Sequence, residues 1–401
     1  MRASPSTARA INDRLALRLL QSEGPLTATQ LKQLTGLSRP TVADLVERLA
    51  AAGLIEVAGE SRAQRRGPNA RLYGIVADRA HLAALDVRTE GVAVAVADLL
   101  GRVLAEGSVP VGPDTATGPA VERTVTLVER TVKEAGAEQP HTVTIGAPGL
   151  IDPATGDLHH TTGLPEWHRR LVAALQERFP AARVGVENET NLAALAEQRD
   201  GAARDRDSFV LLWLGLGIGA ALVLDGTLRR GASGGAGELG FLPVPGTAGL
   251  PSATDCGGGF HGLAGASAVT ALAAEHGLTA PDAGREVRAA ALVREAVRAQ
   301  GPGAAGDPAP GRFLDALADR ITVGAAAVAS VLDPGCVVLA GEIGRAGGDA
   351  LADRVRHRLA EMSPLATEVR PTALGGDAVL RGALLTARDR AQDELFAPRG
   401  G

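Results

Sequence analysis

Apolar side chains recur at helical spacing near the start of the chain, and two strand-like runs follow them. Ile11, Leu15 and Leu19 lie four residues apart, with Ala16 and Leu20 alongside, which predicts one buried face of a first helix. Breaks at SEGP (22–25) and TGL (35–37) separate two further short helices. The predicted buried residues of these helices are Leu31 and Leu34, then Val42, Leu45, Leu49 and Ala52. The strand-like runs are LIEVA (54–58) and RLYGIV (71–76).

Capping residues indicate where these helices begin. Thr27 is followed three residues later by Gln30, the spacing of a capping box. Ser38 precedes the third helix, and Pro40 stands in its first turn, where the missing N–H costs nothing. Three helices, with a tight turn between the second and third, and then a basic hairpin form the pattern of a winged helix–turn–helix.

Beyond residue 80 the pattern becomes that of strands mixed with helices. A strand meander is predicted first, a helix follows near 119–136, and a similar meander returns about 127 residues later. This repetition predicts an internal duplication, and hence two α/β lobes with a cleft between them. The first meander comprises 81–87, 91–99 and 102–109, and the second comprises 208–215, 218–226 and 227–232.

One apolar run could be mistaken for a membrane span. SFVLLWLGLGIGAALVL (208–224) has 17 residues, contains alternating glycines and lies between Asp207 and Asp225. A membrane helix needs about 20 residues. Two buried strands joined by a glycine turn fit the run better, and we expect no membrane partner.

Charge divides the chain into a basic front and an acidic body. Residues 1–76 carry a net charge of +5 within a total of −5, so only the front is expected to bind a polyanion. Two cysteines, Cys256 and Cys336, give no disulfide framework, and no secretory signal is evident. A reducing cytoplasm is therefore the expected location.

The start of the third helix is the predicted DNA-reading surface, because this helix enters the major groove by its N-terminal end. Arginine can bond guanine edges, and hydroxyl groups suit phosphates or bases. The candidates are Ser38, Arg39 and Thr41 on the helix, with Arg62, Arg65 and Arg66 on the wing for phosphates. The alternative is a three-helix protein-interaction module with a solvated basic loop.

The stretch VENETNLAALAE (186–197) places carboxylates and carboxamides directly before a helix. Such groups could present a general base to a sugar hydroxyl, or could hold a sugar without any chemistry. Asn188 and Glu189 are the candidate ligand groups. Alternatively, both side chains cap the helix that starts near Thr190.

Several segments of the body resemble the ROK family, which joins bacterial sugar kinases to sugar-responsive repressors. The resemblance implies an α/β fold: an N-terminal winged helix–turn–helix followed by a two-lobed, actin-like (ribonuclease-H-like) body. It gives expected domains at 1–78, 79–200 and 201–379, with a C-terminal helix at 380–396 completing the first lobe. The matching segments are TIGAPGLIDPATG (144–156), VENETNLAALAE (186–197), LGLGIGAAL (214–222), GASGGAGELG (231–240), DPGCVVLAGEIG (333–344) and LRGALLTA (380–387).

The same resemblance implies that kinase activity is lost. Two glycines that wrap nucleotide phosphates in the family's kinases are Arg88 and Thr89 here, after Asp86. The second phosphate loop has Leu216 in place of a threonine, and Glu189 replaces the aspartate that serves as base. We therefore expect a binding site and no catalytic residue.

The family's structural zinc site is also incomplete. Phe241 stands in the position of the histidine ligand, and Thr254, Cys256 and His261 align with the three cysteines. Because tetrahedral zinc needs four ligands and only Cys256 and His261 remain, we expect neither a metal nor any cofactor. Phe241 and Phe260 could pack where the metal would lie.

Effector recognition is expected to be altered as well. Glu238 is kept at a sugar-contacting position, whereas Phe241 and Leu263 replace a histidine and a glutamate. His261 is a further candidate, and an ordinary surface histidine is its alternative. For Glu238 the alternative is an ion pair with Arg229 or Arg230. Trp167 could lie beside a sugar, or belong to the core.

Together these patterns predict a cytoplasmic, DNA-binding transcriptional regulator, expected to be a repressor. Its partners would be an inverted-repeat DNA operator, a sugar or related effector, and a second copy in a homodimer or dimer of dimers. The alternatives are a sugar kinase with an appended DNA-binding domain, and a ligand-independent regulator whose pocket is vestigial.

Overall fold

The computed structural model describes residues 5–61, 70–88, 90–112, 114–152, 154–156, 158, 165–247, 249–252, 258–279, 288–301 and 308–397. The predicted wing contacts Arg62, Arg65 and Arg66 lie outside the described residues, as do Thr89, Thr254 and Cys256. Within the described ranges, no helix combines the length and the apolar character needed to cross a bilayer.

The head, residues 5–75, has the helices and hairpin that the sequence predicts. The capping box is present, because the Thr27 hydroxyl accepts the Gln30 N–H at 3.2 Å and Gln30 accepts the Thr27 N–H at 2.9 Å. Gly36 then ends the second helix with φ 71°. The strands form a sheet in the order β1-β3-β2. The elements are α1 (Pro5–Glu23), β1 (Leu26–Thr27), α2 (Ala28–Thr35), α3 (Arg39–Ala51), β2 (Ile55–Ser61) and β3 (Ala70–Ile75).

The predicted buried face of α1 is wrong at Ile11 and Leu15 and confirmed at Ala16 and Leu20. Ile11 and Leu15 are 59% and 40% exposed. Helical spacing fixes the period of a pattern, but it does not fix which neighbouring stripe meets the core. Arg48 of α3 binds Asp13 at 2.6 Å, and Asp13 lies on the side of α1 that faces the core. That side carries the buried residues Ala16, Leu17 and Leu20.

The other two head helices follow the prediction more closely. Leu31 of α2 is buried as expected, whereas Leu34 is 52% exposed, so this part of the prediction is wrong. An eight-residue helix has about two turns, and here its last turn lies outside the core. The apolar positions of α3 are buried as predicted at Val42, Leu45 and Leu49.

The first lobe is a mixed sheet in the order β6-β5-β4-β7-β8. Its first three strands form the predicted antiparallel meander, and β7 and β8 then add in parallel through helical crossovers. The central strand β4 is buried from Leu82 to Val87, because helices cover both faces of the sheet. The elements are β4 (Leu82–Arg88), β5 (Gly91–Ala97), β6 (Val103–Pro110), α4 (Thr117–Glu134), β7 (Thr142–Ala147), α5 (Glu166–Arg178), β8 (Arg183–Asn188) and α6 (Glu189–Asp200).

The second lobe repeats this topology, with its sheet in the order β11-β10-β9-β12-β13. The same strand order in both lobes agrees with the predicted duplication. The apolar run at 208–224 forms β9 and β10, two paired antiparallel strands, as predicted. The elements are β9 (Phe209–Leu214), β10 (Ile218–Leu224), β11 (Thr227–Arg229), α7 (Gly259–Ala264), α8 (Ala266–Glu275), α9 (Arg288–Arg298), α10 (Ala309–Leu332), β12 (Cys336–Ala340), α11 (Gly341–Met362, kinked at Gly348) and β13 (Glu368–Pro371). The last helix, α12 (Ala378–Leu395), returns to the first lobe and packs on β4 and β7.

Helices α6 and α12 lie between the two sheets. Leu192 of α6 and Val379 of α12 share one core with residues of both sheets, such as Ala84 and Leu211. The approach of the helices is close, because a Cβ at Gly382 of α12 would overlap the Leu192 carbonyl group. There is thus no room for either helix to shift toward the other.

The end of α12 packs into the head. Ala387, Ala391 and Phe396 belong to the same core as Leu17 and Leu31 of the head. Two polar contacts hold this junction: Arg14 forms an ion pair with Asp393, and the Gln392 amide donates to the Leu99 carbonyl at 3.0 Å. One helix therefore runs from the space between the lobes to the N-terminal head.

Candidate functional site

Arg88, at the end of β4, bridges the cleft between the lobes. Its Nε donates to Asp86 Oδ2 at 2.9 Å, and its Nη1 donates to Glu342 Oε1 at 3.1 Å. Its Nη2 also reaches the Gly376 carbonyl at 3.4 Å. Asp86 belongs to the first lobe and Glu342 begins α11 in the second, so this guanidinium ties the lobes together.

Little space remains beside this bridge. The cavity here has a volume of about 20 Å³, which is room for about one water molecule. Glu342 places a carboxylate in the first turn of α11, where the helix dipole favours an anion. A helix N-terminus of this kind can bind a phosphate group. In α11 the Glu342 carboxylate already occupies that end. The lining residues are Arg88, Trp213, Ala340, Gly341, Glu342, Arg345, Thr372, Gly375, Gly376 and Ala378.

Asn188 acts as the N-cap of α6. Its side-chain oxygen accepts the N–H groups of Thr190 at 2.8 Å and Asn191 at 3.2 Å. Its amide nitrogen donates to the Gly149 carbonyl at 3.0 Å. The capping alternative therefore describes Asn188 in this structure, and its side chain holds the β8–α6 turn in place.

Glu187, just before this cap, forms a second contact between the lobes. Its buried carboxylate binds Arg230 at 2.7 Å and accepts the Asn191 amide at 3.0 Å. Arg230 is therefore engaged by Glu187, and Arg229 lies 3.7 Å from Asp225. The alternative of an ion pair between Glu238 and either arginine does not hold.

Three carboxyl groups of the cleft have raised pKa values: Asp86, Glu189 and Glu238. Glu189 interacts electrostatically with Asp86 and Glu238. Burial, reinforced by repulsion from these two carboxylates, raises the pKa of Glu189 to about 8. Burial also raises the pKa of Asp86 and that of Glu238. Glu189 Oε2 and Asp86 Oδ1 are buried without a hydrogen-bond partner.

His261 lies at the second glycine loop. Its Nδ1 accepts the Ile218 N–H at 3.1 Å, so the ring's own hydrogen is on Nε2. The Phe241 ring contacts it edge-on, with 5.3 Å between the ring centroids. Burial lowers the pKa of His261, which favours the neutral ring. The histidine thus links α7 to the 215–218 loop.

Trp167 is part of the first-lobe core. It is 3% exposed and packs edge-on against His168, with 4.2 Å between the ring centroids. Burial lowers the pKa of His168 to about 4, so that ring is neutral as well. Of the two interpretations of Trp167, the structure agrees with the core residue.

In the head, the predicted DNA-contacting side chains cluster at the start of α3. Ser38 caps the helix by accepting the Thr41 N–H at 3.4 Å, and the two hydroxyl oxygens are 2.8 Å apart. The Ser38 cap fixes the backbone at the start of α3. The Arg39 side chain next to it is exposed and forms no ion pair within the described part of the chain.

Two family models match the chain, and they divide it where the head meets the body. Residues 82–390 match the model of the ROK family. The chain belongs to the ROK family. Residues 11–67 match a model of the MarR family, which covers the three-helix head. A ROK body thus follows a winged helix–turn–helix.

Both regulators and enzymes are among the relatives of this ROK protein. The DNA-binding transcriptional dual regulator NagC of Escherichia coli (strain K12) is 27% identical over 244 residues, which cover 59% of this chain and 58% of NagC. The bifunctional enzyme NanE/NanK of Brucella suis biovar 1 is 37% identical over 216 residues, covering 53% of this chain and 35% of the enzyme. The chain therefore spans less than two thirds of these curated relatives.

A ROK regulator of known structure has the same fold. The crystal structure of a ROK family transcriptional regulator, a homolog of the E. coli MLC protein, matches with a TM-score of 0.75 at 21% identity. The match covers 97% of this chain and 98% of that chain, including the head. The complete arrangement of winged helix and two lobes is thus shared.

Two residues at the ROK zinc position lie within the described ranges, Phe241 and His261. Phe241 offers no ligand atom, and His261 already accepts a backbone N–H through Nδ1. Across the described ranges, His, Cys, Asp and Glu side chains form no group of three or more that could hold a metal ion. Cys256, the other candidate ligand, lies outside those ranges.

Sequence reasoning missed Glu342 in this ROK cleft and gave Arg230 a different partner, Glu238. Each pairs with a partner from the other lobe: Glu342 with Arg88, and Arg230 with Glu187. The available signal was a charged residue within or beside a glycine-rich segment, at Gly341–Glu342 and Arg230–Gly231. The partners are 254 and 43 residues apart, so only the fold could pair them.

Proposed function

We propose that this ROK protein is a cytoplasmic, DNA-binding transcriptional repressor, whose body binds a sugar or related small molecule without phosphorylating it. The supporting observation is the combination of a winged helix–turn–helix, exposing Arg39, with a kinase-like cleft bridged by Arg88. The relatives include a DNA-binding transcriptional regulator, NagC, which is consistent with this function.

DNA binding is tested by gel shift with duplex DNA from upstream of the gene that encodes this chain. We expect retardation at low salt, through an inverted repeat whose half-sites are a whole number of helical turns apart. Arg39→Ala should weaken binding by about 1–3 kcal/mol if it reads a base. Arg123→Ala, an exposed arginine on the body, is the charge-matched control and should bind normally. Absence of retardation by the intact chain would contradict the proposal.

The absence of kinase activity is proposed from the geometry of the nucleotide side of the cleft. Phosphoryl transfer needs a cradle for several phosphate groups and a metal ion. Arg88 fills this region, and a cavity of about 20 Å³ is far smaller than a typical ligand pocket of roughly 300 Å³ or more. A nucleotide would have to break the ion pairs of Arg88 with Asp86 and Glu342 before it could enter.

A sugar kinase with an appended head is the second candidate, because Glu189 keeps a buried carboxylate with a raised pKa. This function predicts ATP-dependent phosphorylation of a hexose by the intact chain. Glu189→Gln would abolish it by removing the base, whereas Glu138→Gln, on an exposed loop, would not. Phosphorylation that Glu189→Gln abolishes and Glu138→Gln preserves would replace our proposal. No phosphorylation of any hexose in a panel would support the repressor.

We propose that α12 transmits the state of the cleft to the head. Ala378, at its start, lines the cavity beside Arg88, and Phe396, just past its end, packs in the core of the head. A helix of 18 residues is about 27 Å long and moves as one body. Ligand binding that moves the lobes would therefore move the heads of a homodimer or dimer of dimers, linking effector and operator affinity.

The body is also proposed to fold without zinc or another cofactor. His261 and Phe241 link α7 to the neighbouring loops through a hydrogen bond and a ring contact. Elemental analysis of purified protein should find well under one zinc ion per chain, and a chelator should leave the unfolding midpoint unchanged. A stoichiometric metal whose removal lowers that midpoint would contradict this.

A further inference from the structure

A groove runs along the open edge of the first-lobe sheet. It is lined by β6 and by one face of α4, and its volume of about 270 Å³ far exceeds the 20 Å³ beside Arg88. Strand β6 is the last in the strand order and pairs with β5 alone among the described strands. An edge strand presents unpaired N–H and C=O groups, to which a strand of another chain can add.

Helix α4 lies close to this open edge, because it packs on β6 and β5. A Cβ at Gly107 of β6 would stand 2.9 Å from a methyl carbon of Leu127 and 3.6 Å from a guanidinium nitrogen of Arg130. Since glycine has no side chain, the helix can come this near to the strand. A second copy of β6 added at the edge would therefore bring a second copy of α4 beside the first.

The exposed face of α4 carries opposite charges at its two ends. Glu122, Thr126 and Arg130 are exposed, line the groove and follow one another at four-residue spacing, so they form one stripe. Glu122 forms no ion pair with a described residue. Arg130 lies 3.6 Å from Glu134, but the two side chains are 59% and 53% exposed, and a pair so exposed contributes little. Both ends of the stripe can therefore pair with charges on another molecule.

This stripe is complementary to its own copy. In a two-fold interface, residue i of one chain contacts residue j of the other, and j contacts i. If the axis passes beside Thr126, the two α4 helices lie antiparallel, and Glu122 of each chain faces Arg130 of the other. The two ion pairs would be separated by about 12 Å, the length of eight helical residues. The same axis sets the two β6 strands antiparallel, which is the direction in which two sheet edges join.

We propose that a second copy of this chain binds at the groove, with α4 against α4 and β6 against β6. This inference rests on the proposed function, in which two heads read an inverted repeat. It adds that the copies meet at the first lobe, through two symmetric ion pairs between Glu122 and Arg130. Arg123 lies on the neighbouring stripe and belongs to neither ion pair, so Arg123→Ala should dimerise as the wild type does.

Charge reversal tests the contact. Sedimentation of the full chain over a concentration series should show a species of twice the 40.8 kDa chain mass. Glu122→Arg and Arg130→Glu each place two pairs of like charges together, so each should raise the dimer dissociation constant at least tenfold. The double variant exchanges the charges and should restore dimerisation. The matched control is Glu177→Arg with Arg169→Glu on α5, two exposed residues with the same spacing, which should leave dimerisation unchanged singly and together.

A cross-link locates the axis. Thr126→Cys should form a covalent dimer with a short bifunctional maleimide. Glu177→Cys should not exceed the background of the wild type, whose own cysteines are Cys256 and Cys336. If a charge-reversed variant fails to fold, the cross-link still decides.

Three results would overturn the proposed interface: a wild type that stays monomeric, a dimer that tolerates both reversals, or a Thr126→Cys chain that does not cross-link. Retardation of operator DNA is measured separately on the wild type. If the wild type shifts the DNA, any of these results removes the interface and leaves the repressor. If it does not shift the DNA but the charge exchange behaves as expected, the interface stands and the proposed function fails.

Discussion

At the scale of single residues, Glu189 should make stability depend on pH. Below about pH 4.5 both folded and unfolded chains hold its proton. Between that pH and about 8 only the folded chain keeps it, so the free energy of unfolding falls as pH rises, by at most about 1.4 kcal/mol per pH unit. Asp86 and Glu238, whose pKa values are also raised, act in the same direction, while Arg88 opposes them.

The check is urea unfolding of the wild type and Glu189→Gln between pH 5 and pH 8. The variant lacks the titrating group, so it should gain stability relative to the wild type as pH increases. Glu138→Gln should give a profile parallel to that of the wild type. Parallel profiles for all three proteins would show that Glu189 ionises normally in the folded chain.

Arg88 should contribute a measurable coupling between the lobes. Its side chain is 39% exposed and that of Glu342 is 20% exposed, so solvent screens the pair in part. We expect a coupling free energy of about 0.5–1 kcal/mol from a double-mutant cycle of Arg88→Met and Glu342→Gln, followed by urea unfolding. The more exposed pair Arg356–Asp353 is the control, with a coupling near zero. Equal couplings would mean that the bridge across the cleft adds nothing.

At the scale of secondary-structure elements, the contact between α6 and α12 should not tolerate an added methyl group. Alanine normally stabilises a helix interior relative to glycine. At Gly382, however, the new Cβ would overlap the backbone of Leu192, so Gly382→Ala should lower stability by about 1–3 kcal/mol. Gly118→Ala in α4 has open space around its Cβ and should be neutral or slightly stabilising. Thermal unfolding distinguishes the two.

The elements could be predicted from sequence because local patterns fix them. The apolar run with alternating glycines at 208–224 correctly predicted the strands β9 and β10. The capping-box spacing of Thr27 and Gln30 correctly predicted where α2 begins. The burial of Ile11, Leu15 and Leu34 was wrong, because which stripe of a helix meets the core depends on the position of its neighbours. The pairs Arg88–Glu342 and Glu187–Arg230 could not be predicted either, since each joins residues from different lobes.

At the scale of the whole molecule, head and body share one core, so they should not unfold independently. Phe396→Ala should cost about 3–5 kcal/mol, as expected for a buried phenylalanine. It should also speed hydrogen exchange in α1 and α2, because Phe396 packs in the core of the head. Phe179→Ala is the matched control: it is equally buried at 6% exposure but lies in the first-lobe core. It should destabilise the chain without a selective effect on the head.

The shared core also has a consequence for biosynthesis. The head leaves the ribosome before Ala387, Ala391 and Phe396, which share its core, have been translated. A nascent or prematurely terminated chain would therefore expose apolar surface on its head, marking it for chaperones and proteases. Under the proposed function, translation products that end before α12 would then not compete for the operator.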